Sequence, residues 1–357
     1  MTNTYSRDDD DGPWSTFALR LGDPIQNVRV LISTTLADTW VVRSDGCQPS
    51  QKTCKEDRGR TFDPAQSRSW KQLGNASLLV NQNLGPYVDG VAGNETLGMG
   101  FQGSGGPVLQ QQDVVAYTSP DLNVGMFGLN PWALSLDAKA RGQQNFLAAL
   151  KNKSMIPSLS FGYTAGNQYV LKKFYGSLTL GGYDETIADP LPLDLPFTGN
   201  DPSRLLQVNL QSISVREQGG KVTPLLPKPV LANVDSTASM IWLPLEACRA
   251  FESAFGLKWD EKTELYLVDN DTHAQMQQKN ASVTFTITNP TAGGKARDIV
   301  LSYSAFDLLV KPPFSGINKN QQYFPLRRAA NESQYTLGRT FLQESLVANL
   351  ASAVLHS

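Results

Sequence analysis

Two segments of the chain carry the same pattern of polar side chains at the end of a short apolar run. Ile32–Val42 (ISTTLADTWVV) aligns with Val234–Pro244 (VDSTASMIWLP) at a constant offset of 202 residues, so that Ser33 corresponds to Asp235. A carboxylate can act as a base toward a bound water, and a serine hydroxyl can act as a nucleophile if a histidine activates it. Hydrolytic chemistry, if the chain performs it, is therefore expected at this pair.

A serine nucleophile at position 33 is disfavoured by its surroundings. No Gly-x-Ser-x-Gly turn surrounds Ser33, and the chain has only two histidines, His273 and His356, which leaves little for a catalytic triad. Asp38 follows the turn rather than ending the strand, and a surface or capping role is predicted for it. Two roles stay open for Asp235: a hydrogen-bonded carboxylate that bridges two lobes, or a ligand contact.

The composition narrows the class of protein and its partners. Charged residues make up 18% of the 357 residues, beside 29 Gly and 21 Pro, which favours a β-rich chain with many turns. Because the net charge is −2 and the sequence has no run of five or six lysines and arginines, we do not expect nucleic acid or anionic membranes as partners. Because there is no stretch of 18 apolar residues, membrane attachment would need a segment absent from this sequence. We expect a monomer without a cofactor or a metal.

Glycosylation sequons and cysteines indicate the secretory pathway. Six Asn-X-Ser/Thr sequons occur, at Asn75, Asn94, Asn152, Asn270, Asn280 and Asn331, against about two expected by chance. Cys47 and Cys54 lie seven residues apart in a polar stretch and predict a small disulfide loop. A zinc site is excluded there because neither histidine is close. Cys248 is expected to be a buried free thiol.

The elements around the repeated segments alternate with the period of β-strands. Apolar residues recur at every second position from Phe17 to Leu21 and again from Val28 to Ile32. Short helices are predicted at 143–151 and from Pro244 to a C-terminal cap at Gly256. Each half also has a later apolar-glycine segment, GMFGLN at 125–130 and YTLGRTF at 335–341. The duplication predicts two related β-lobes, over residues 13–190 and 191–357, that follow a disordered acidic lead-in over residues 1–12.

These motifs, in this order, resemble the pepsin-like aspartic proteases. In that family each lobe contributes an apolar-apolar-Asp-Thr/Ser-Gly-Thr/Ser loop followed by an aromatic strand. LGDPIQNVRVLISTTLADTWVV and VDSTASMIWLP are similar to those units, and MFGLNPW, PSLSFGY, YGSLTLGGYDE and TLGRTF are similar to later landmarks. The resemblance implies a mostly β, bilobal acid protease fold around a central cleft. More narrowly, the sequence resembles aspartic-protease-like ectodomains of filamentous fungi.

The resemblance also implies the chemistry and shows where this chain departs from it. Two aspartates about 3 Å apart share a proton, so that one acts as base on water while the other polarises the scissile carbonyl. Here Ser33 replaces the first aspartate, Asp235 is kept, and Thr35 and Thr237 replace the two loop glycines. Glycine in these loops lets the backbone approach the carboxylates closely, which a threonine side chain would obstruct. The three replacements together therefore predict that the chain has lost ordinary proteolysis.

The resemblance places further residues in the cleft and leads to a functional prediction. Thr34, Thr35, Ser236 and Thr237 are expected to line the cleft, and Tyr87 in GPYVDGVAG is the candidate for the tip of a covering flap. We predict a catalytically inactive extracellular or cell-surface domain that binds a peptide, a protein or a cell-wall-derived ligand. A residual acid endopeptidase that uses Asp235 is the alternative, and a structural wall component is a third.

Overall fold

The computed structural model describes residues 2–3, 6–79, 84, 87–130, 145–167, 169, 175–183, 204–290, 293–345 and 347–350. Most elements are strands, which are numbered along the chain. Among the described residues, no helix has the length and apolar character needed to cross a membrane. The predicted boundary between the two lobes, at residues 190 and 191, lies outside the described residues, so this division of the chain stays a prediction.

An eight-stranded sheet forms the first part of the structure. The first nine strands are β1 (Thr2–Asn3), β2 (Ser6–Asp8), β3 (Trp14–Leu21), β4 (Gln26–Ser33), β5 (Thr39–Val42), β6 (Lys71–Leu79), β7 (Tyr87–Met99), β8 (Val108–Tyr117) and β9 (Gly125–Gly128). Strands β2 to β9 pair in the order β2-β3-β4-β9-β5-β8-β7-β6. Phe17, Leu19 and Leu21 are buried on one face, as their alternation predicts.

The remaining strands form one large sheet and two small ones. They are β10 (Ser160–Thr164), β11 (Ser177–Leu180), β12 (Gln207–Arg216), β13 (Val222–Pro224), β14 (Val230–Val234), β15 (Ile241–Leu243), β16 (Lys258–Asp260), β17 (Leu265–Leu267), β18 (Ser282–Asn289), β19 (Gly293–Ser302), β20 (Leu308–Val310), β21 (Gln321–Phe324), β22 (Leu326–Arg328), β23 (Thr336–Leu337) and β24 (Val347–Leu350). The large sheet has the order β19-β18-β12-β14-β23-β15-β22, with β13 on β12, and the small sheets have the orders β1-β11-β10-β24 and β16-β17-β21-β20.

Four short α-helices occur in the part of the chain that the structure describes. They are α1 (Cys54–Asp57), α2 (Phe146–Asn152), α3 (Leu245–Phe255) and α4 (Asn270–Lys279). Helix α3 follows Pro244 and ends at Gly256, whose φ of +71° is the left-handed cap that the sequence predicts. Helix α2 confirms the other predicted helix over the part of 143–151 that the structure describes.

The duplicated segments form the same three-strand unit in each half. In the first half β9 lies between β4, with which it is parallel, and β5, with which it is antiparallel. In the second half β23 lies in the same way between β14 and β15. The apolar-glycine segments supply these middle strands because only glycine fits there: a Cβ on Gly128 would lie 2.4 Å from the Leu36 carbonyl oxygen, and one on Gly338 would lie 2.3 Å from that of Met240.

The cysteines have the predicted states. Cys47 and Cys54 form a disulfide, and Cys248 is a buried free thiol on α3. Burial raises the pKa of the Cys248 thiol to about 12, so this thiol is not a nucleophile at neutral pH.

The sequon asparagines mostly lie at the surface. Five of the six are exposed, namely Asn75, Asn152, Asn270, Asn280 and Asn331. Asn94 is half-buried, and its amide nitrogen donates to Asp113 Oδ1 at 2.7 Å. Glycosylation of these sites stays a prediction, and the five exposed asparagines are the accessible ones.

The acidic N-terminal segment differs from the expected disordered lead-in. Ser6–Asp8 pair with β3, and Asp8, Asp9 and Asp10 are all buried. Both carboxylate oxygens of Asp8 accept hydrogen bonds from the Arg29 guanidinium, each at 2.8 Å. This paired, bidentate contact compensates the desolvation that a lone buried carboxylate would suffer. The segment is therefore an integral part of the fold at the residues described.

Candidate functional site

The two repeat loops meet where their strands end. Ser33 is the last residue of β4, and its carbonyl oxygen accepts from the Leu129 amide at 2.9 Å. Asp235 directly follows β14, and its amide donates to the Leu337 carbonyl at 3.1 Å. Each loop is thus anchored to the middle strand of its own unit, which brings both predicted residues to one place.

Reciprocal hydrogen bonds lock the two loops together. The Thr34 amide donates to Ser236 Oγ at 3.0 Å, and the Ser236 amide donates to Thr34 Oγ1 at 3.1 Å. Ser236 Oγ in turn donates to the Ile32 carbonyl at 2.8 Å. Because Thr34 and Ser236 occupy equivalent positions of the repeat, the bonds are related by its pseudo-symmetry. They fix the distance between Ser33 and Asp235.

A chain of hydroxyl groups runs from Ser33 to Asp235. Thr35 Oγ1 donates to Asp235 Oδ1 at 2.9 Å, and it lies 2.8 Å from Thr237 Oγ1. Thr237 Oγ1 lies 2.6 Å from Ser33 Oγ. Since each hydroxyl carries one proton, Thr35 must accept from Thr237, and Thr237 must accept from Ser33. Every proton in the chain therefore points toward the carboxylate.

Backbone amides complete the hydrogen bonding of the pair. The Thr237 amide donates to Asp235 Oδ1 at 2.8 Å, so this oxygen accepts two hydrogen bonds. Ser33 Oγ accepts from the Leu36 amide at 2.8 Å and from the Thr35 amide at 3.3 Å. These contacts give both residues a structural role, and Ser33 is not poised as a nucleophile because its proton points toward Thr237.

The predicted cleft residues are buried in the joined loops, and their role in lining a binding cleft stays a prediction. Ser33, Asp235 and Ser236 are 0% exposed, and Thr34 and Thr35 are also buried. Of the predicted lining residues only Thr237 borders the adjacent cavity. The threonine side chains fill the space in which a glycine loop would leave the carboxylate open, so Asp235 lies beneath the cavity surface.

Tyr87 does not line the cavity either. It is 59% exposed and pairs with Leu79 near the end of the β6–β7 hairpin. Gly85 and Pro86 of the predicted flap segment lie outside the described residues. Of the residues described in this hairpin, Leu84 borders the cavity.

A cavity of about 600 Å³ lies beside the loops and is rich in charged side chains. Its acidic residues are Asp9, Asp10, Asp11, Asp121, Glu261 and Glu264, its basic residues are Lys262, Arg327 and Arg339, and its large apolar residues are Leu84, Leu122, Met126, Met240, Trp242 and Phe314. Six acids against three bases give this wall a negative charge. Apolar area together with a few charged groups is typical of a ligand pocket.

Arg339 connects the acidic segment to the second loop. It is 2% exposed, and its Nη2 lies 3.1 Å from Asp9 Oδ2 and 3.5 Å from Asp11 Oδ1. Its Nη1 donates to the Ser236 and Thr237 carbonyls at 3.1 and 3.0 Å. One guanidinium thus holds the backbone of the Asp235 loop and neutralises part of the acidic cluster.

The three aspartates of the cluster lie close enough to share a cation. Carboxylate oxygens of Asp9, Asp10 and Asp11 all lie within 4.8 Å of one another. Burial, followed by the charge of Asp11, raises the pKa of Asp9 to about 6, although Arg339 opposes the shift. Burial, followed by the charges of Asp9 and Asp11, raises the pKa of Asp10 to about 9. The cluster by itself therefore retains a proton at neutral pH.

Neither the acidic cluster nor Arg339 is predicted as a site from the sequence. A run of four aspartates is typical of a solvated segment, and its partner Arg339 is more than 300 residues away. One signal is nevertheless present: Arg339 directly follows Gly338 in the second apolar-glycine segment, next to the duplicated loop. A charged residue at that position must lie close to the cleft.

The paired three-strand units and the joined loops define a pepsin-like aspartic protease fold. A crystal structure of an aspartic proteinase from Irpex lacteus superposes with a TM-score of 0.64, over 94% of this chain and 91% of that one, at 16% identity. The family profile named eukaryotic aspartyl protease matches residues 16–349. The chain belongs to this family, which confirms the mostly β, pepsin-like fold predicted from the sequence.

Two curated relatives are each about a quarter identical to this chain and are longer than it. Secreted aspartic protease 8 of Candida albicans is 24% identical over 262 residues, 72% of this chain and 59% of that protein. Probable aspartic-type endopeptidase OPSB of Arthroderma benhamiae is 24% identical over 300 residues, 81% of this chain and 57% of that protein. The chain therefore spans about six tenths of the length of these relatives.

Proposed function

We propose that this chain is a catalytically inactive, extracellular aspartic-protease-like domain whose cleft binds a peptide or another extracellular ligand. The observation that carries the proposal is the closed hydroxyl network from Ser33 through Thr237 and Thr35 to the fully buried Asp235. The two loops stay joined and a cavity lies beside them, but threonine side chains fill the space next to Asp235. Such an arrangement is suited to binding a ligand without cleaving it.

The chemistry of peptide hydrolysis explains why this network is incompatible with ordinary activity. Hydrolysis requires one ionised carboxylate that activates water and one protonated carboxylate that polarises the carbonyl. Ser33 supplies no carboxylate, and Thr35 and Thr237 occupy the space next to Asp235 Oδ1. A water at that oxygen would have to displace two hydrogen-bond donors, and a substrate carbonyl would have no acid opposite it.

A residual acid endopeptidase is the second candidate. The relatives are named as proteases, and Asp235 is retained at the end of its strand. For this chain to cleave peptides, the Thr35 and Thr237 side chains would have to rotate away and expose Asp235 to the cavity.

An extracellular location agrees with the covalent features of the chain. The Cys47–Cys54 disulfide requires an oxidising compartment to persist. The five exposed sequon asparagines are accessible to glycosylation, and one relative is named as a secreted protease.

An acid proteolysis assay tests the proposal. The purified chain, expressed through a secretory route, is incubated with fluorescently labelled unfolded casein from pH 3 to 6, beside Asp235→Asn. We expect no difference between the two proteins, and no thermal shift with a hydroxyl-bearing peptide that mimics the tetrahedral intermediate. Cleavage by the native chain that disappears in Asp235→Asn would establish the endopeptidase instead.

A second assay addresses ligand binding. A library of capped peptides and cell-wall oligosaccharides is screened by thermal shift at neutral pH. We expect stabilisation by a subset of peptides, because a ligand that binds only the folded chain raises its stability. A chain that responds to no member of the library would support a purely structural role.

A further inference from the structure

The charged side chains that line the cavity differ in how many oppositely charged groups lie beside them. Arg327 lies 3.3 Å from Glu264, and Arg339 contacts both Asp9 and Asp11. Asp10 lies in the same wall and is 7% exposed. Among the described residues, no lysine or arginine forms an ion pair with it. Asp10 is therefore the acidic group of the cluster with the least positive charge beside it.

Asn123 offers a buried acceptor next to the same cluster. It is 6% exposed and lines the cavity, and its Nδ2 lies 3.5 Å from Asp9 Oδ1. Its Oδ1 is buried, and no group of the described residues donates a hydrogen bond to it. The Asn123 backbone is held in place by Arg58, whose Nε donates to its carbonyl at 2.9 Å. Leaving a buried amide oxygen without a hydrogen-bond donor costs free energy. A ligand that supplies a donor to Asn123 Oδ1 would therefore gain binding free energy.

We propose that the cavity binds a peptide through one of its arginine or lysine side chains, with the cationic head between Asp10 and Asn123 Oδ1. This inference rests on the proposed peptide-binding function and specifies the class of peptide. A guanidinium or an ammonium group carries several N–H donors and a positive charge. It can therefore donate to the buried Asn123 Oδ1 and pair with the ionised form of Asp10 at the same time.

The surroundings favour a basic side chain over a metal ion. Arg339 already places a positive charge 3.1 Å from Asp9 Oδ2. It would repel a divalent ion on these carboxylates about twice as strongly as a singly charged side chain at the same distance. The cavity also extends past the cluster to the apolar side chains of Trp242 and Phe314. These surfaces suit the methylene stem and the neighbouring residues of a peptide, because long cationic side chains bury their stems on apolar area.

The buried cluster gives this binding mode a proton signature. Asp10 lies beside Asp9, Asp11 and Tyr323, and burial, followed by the charges of the two aspartates, raises its pKa to about 9. Asp10 is thus protonated in the unliganded chain at pH 7, and an arriving cation favours its ionised form. Binding of a basic peptide should therefore release about one proton at pH 7, whereas a neutral peptide should release none.

Capped heptapeptides test the inference. The sequence Ac-Ala-Phe-Ala-Xaa-Phe-Ala-Ala-NH2 is used with arginine, norleucine or glutamate at Xaa, and its dissociation constant is measured by calorimetry at pH 7 in two buffers of different ionisation enthalpy. We expect the arginine peptide to bind about tenfold tighter than the norleucine peptide. We also expect proton release only with arginine.

Two variants and one control locate the site. Asp10→Asn keeps the shape of the protonated side chain and should fold normally, which near-UV circular dichroism verifies. It should reduce the preference for arginine to less than about threefold and abolish proton release. Asn123→Leu should reduce the preference without abolishing proton release. Asp57→Asn removes an exposed carboxylate on α1 away from the cavity, and it should bind like the native chain.

Each contrary outcome is distinct. Equal binding of the arginine and norleucine peptides would overturn the inference and leave the peptide-binding function standing. A preference that survives both Asp10→Asn and Asn123→Leu would place the basic residue elsewhere. If 1 mM calcium alone stabilises the native chain but not Asp10→Asn, the cluster is a metal site. Failure of all three peptides to bind would overturn the inference and the peptide-binding function together.

Discussion

Replacing Ser33 alone by aspartate should destabilise the chain without giving it proteolytic activity. Ser33 Oγ is completely buried and lies 2.6 Å from Thr237 Oγ1, in the network that ends on Asp235. Ser33→Asp would place a second carboxylate in this enclosed space. Two unit charges about 4 Å apart at an effective dielectric constant of about 20 repel each other by about 4 kcal/mol. If the two carboxyl groups share a proton instead, the folded chain must keep at pH 7 a proton that the unfolded chain releases at about pH 3.9, which costs about the same free energy. In either case the free energy of unfolding at pH 7 should fall by about 4 kcal/mol.

The pH dependence separates charge from size. Below about pH 4 the pair can hold protons, and the repulsion is relieved. Only the overpacking remains, which costs about 1–3 kcal/mol. Ser33→Asn is the matched control, because it has nearly the same shape without the charge. We therefore expect Ser33→Asp to be less stable than Ser33→Asn at pH 7 and about equally stable at pH 4, in urea unfolding followed by fluorescence.

Activity should require the glycines as well. In Ser33→Asp with Thr35→Gly and Thr237→Gly, both side chains that cover Asp235 are removed, and casein hydrolysis should become detectable between pH 3 and 5. Hydrolysis by Ser33→Asp alone would refute the view that Thr35 and Thr237 block the site. Equal destabilisation of Ser33→Asp and Ser33→Asn at pH 7 would show that repulsion between the two carboxylates is not what lowers the stability.

Three further perturbations test other contacts. Asp235→Ala removes the acceptor of the Thr237 amide and of Thr35 Oγ1, and urea unfolding should show a loss of about 2–5 kcal/mol. Arg339→Met leaves Asp9 uncompensated, so a loss of about 3–5 kcal/mol is expected at neutral pH. Because burial raises the pKa of Asp10 from 3.8 to about 9, the folded chain binds more protons than the unfolded chain between these values, and stability falls as the pH rises through this window. Thermal midpoints of Asp10→Asn should fall less steeply from pH 5 to 9 than those of the native chain, and parallel curves would contradict the assignment.

Local patterns in the sequence predict much of the fold and the centre of the site. The 202-residue repeat places Ser33 and Asp235 at equivalent strand ends, and the structure joins their loops by Thr34 and Ser236. This works because the repeat combines a strand, a turn and a second strand whose periodicity is visible over a few residues. The later apolar-glycine segments are recognisable for the same reason.

Features that depend on distant partners could not be predicted in this way. The acidic segment has the composition of a solvated arm, and its burial depends on Arg29 and Arg339, which no local pattern connects to it. The exposure of the predicted cleft residues also depends on side-chain packing. Thr35 and Thr237 fill the space above Asp235. The sequence identifies these two threonines but does not predict how completely they bury the Asp235 carboxylate. Tyr87 matches a flap motif but does not border the cavity.

The contact between Arg339 and Asp9 has a consequence for the order in which the molecule assembles. It joins residues 330 positions apart, and contacts of such separation form late because the chain entropy lost in closing them must be overcome first. During synthesis, the strands of the first half can pair long before Arg339 leaves the ribosome. The cavity wall is completed only afterwards, when Arg339 meets Asp9. A chain truncated before Arg339 would therefore contain the paired strands of the first half but an incomplete cavity wall, and the proposed ligand binding would report that residues 9 and 339 have come together.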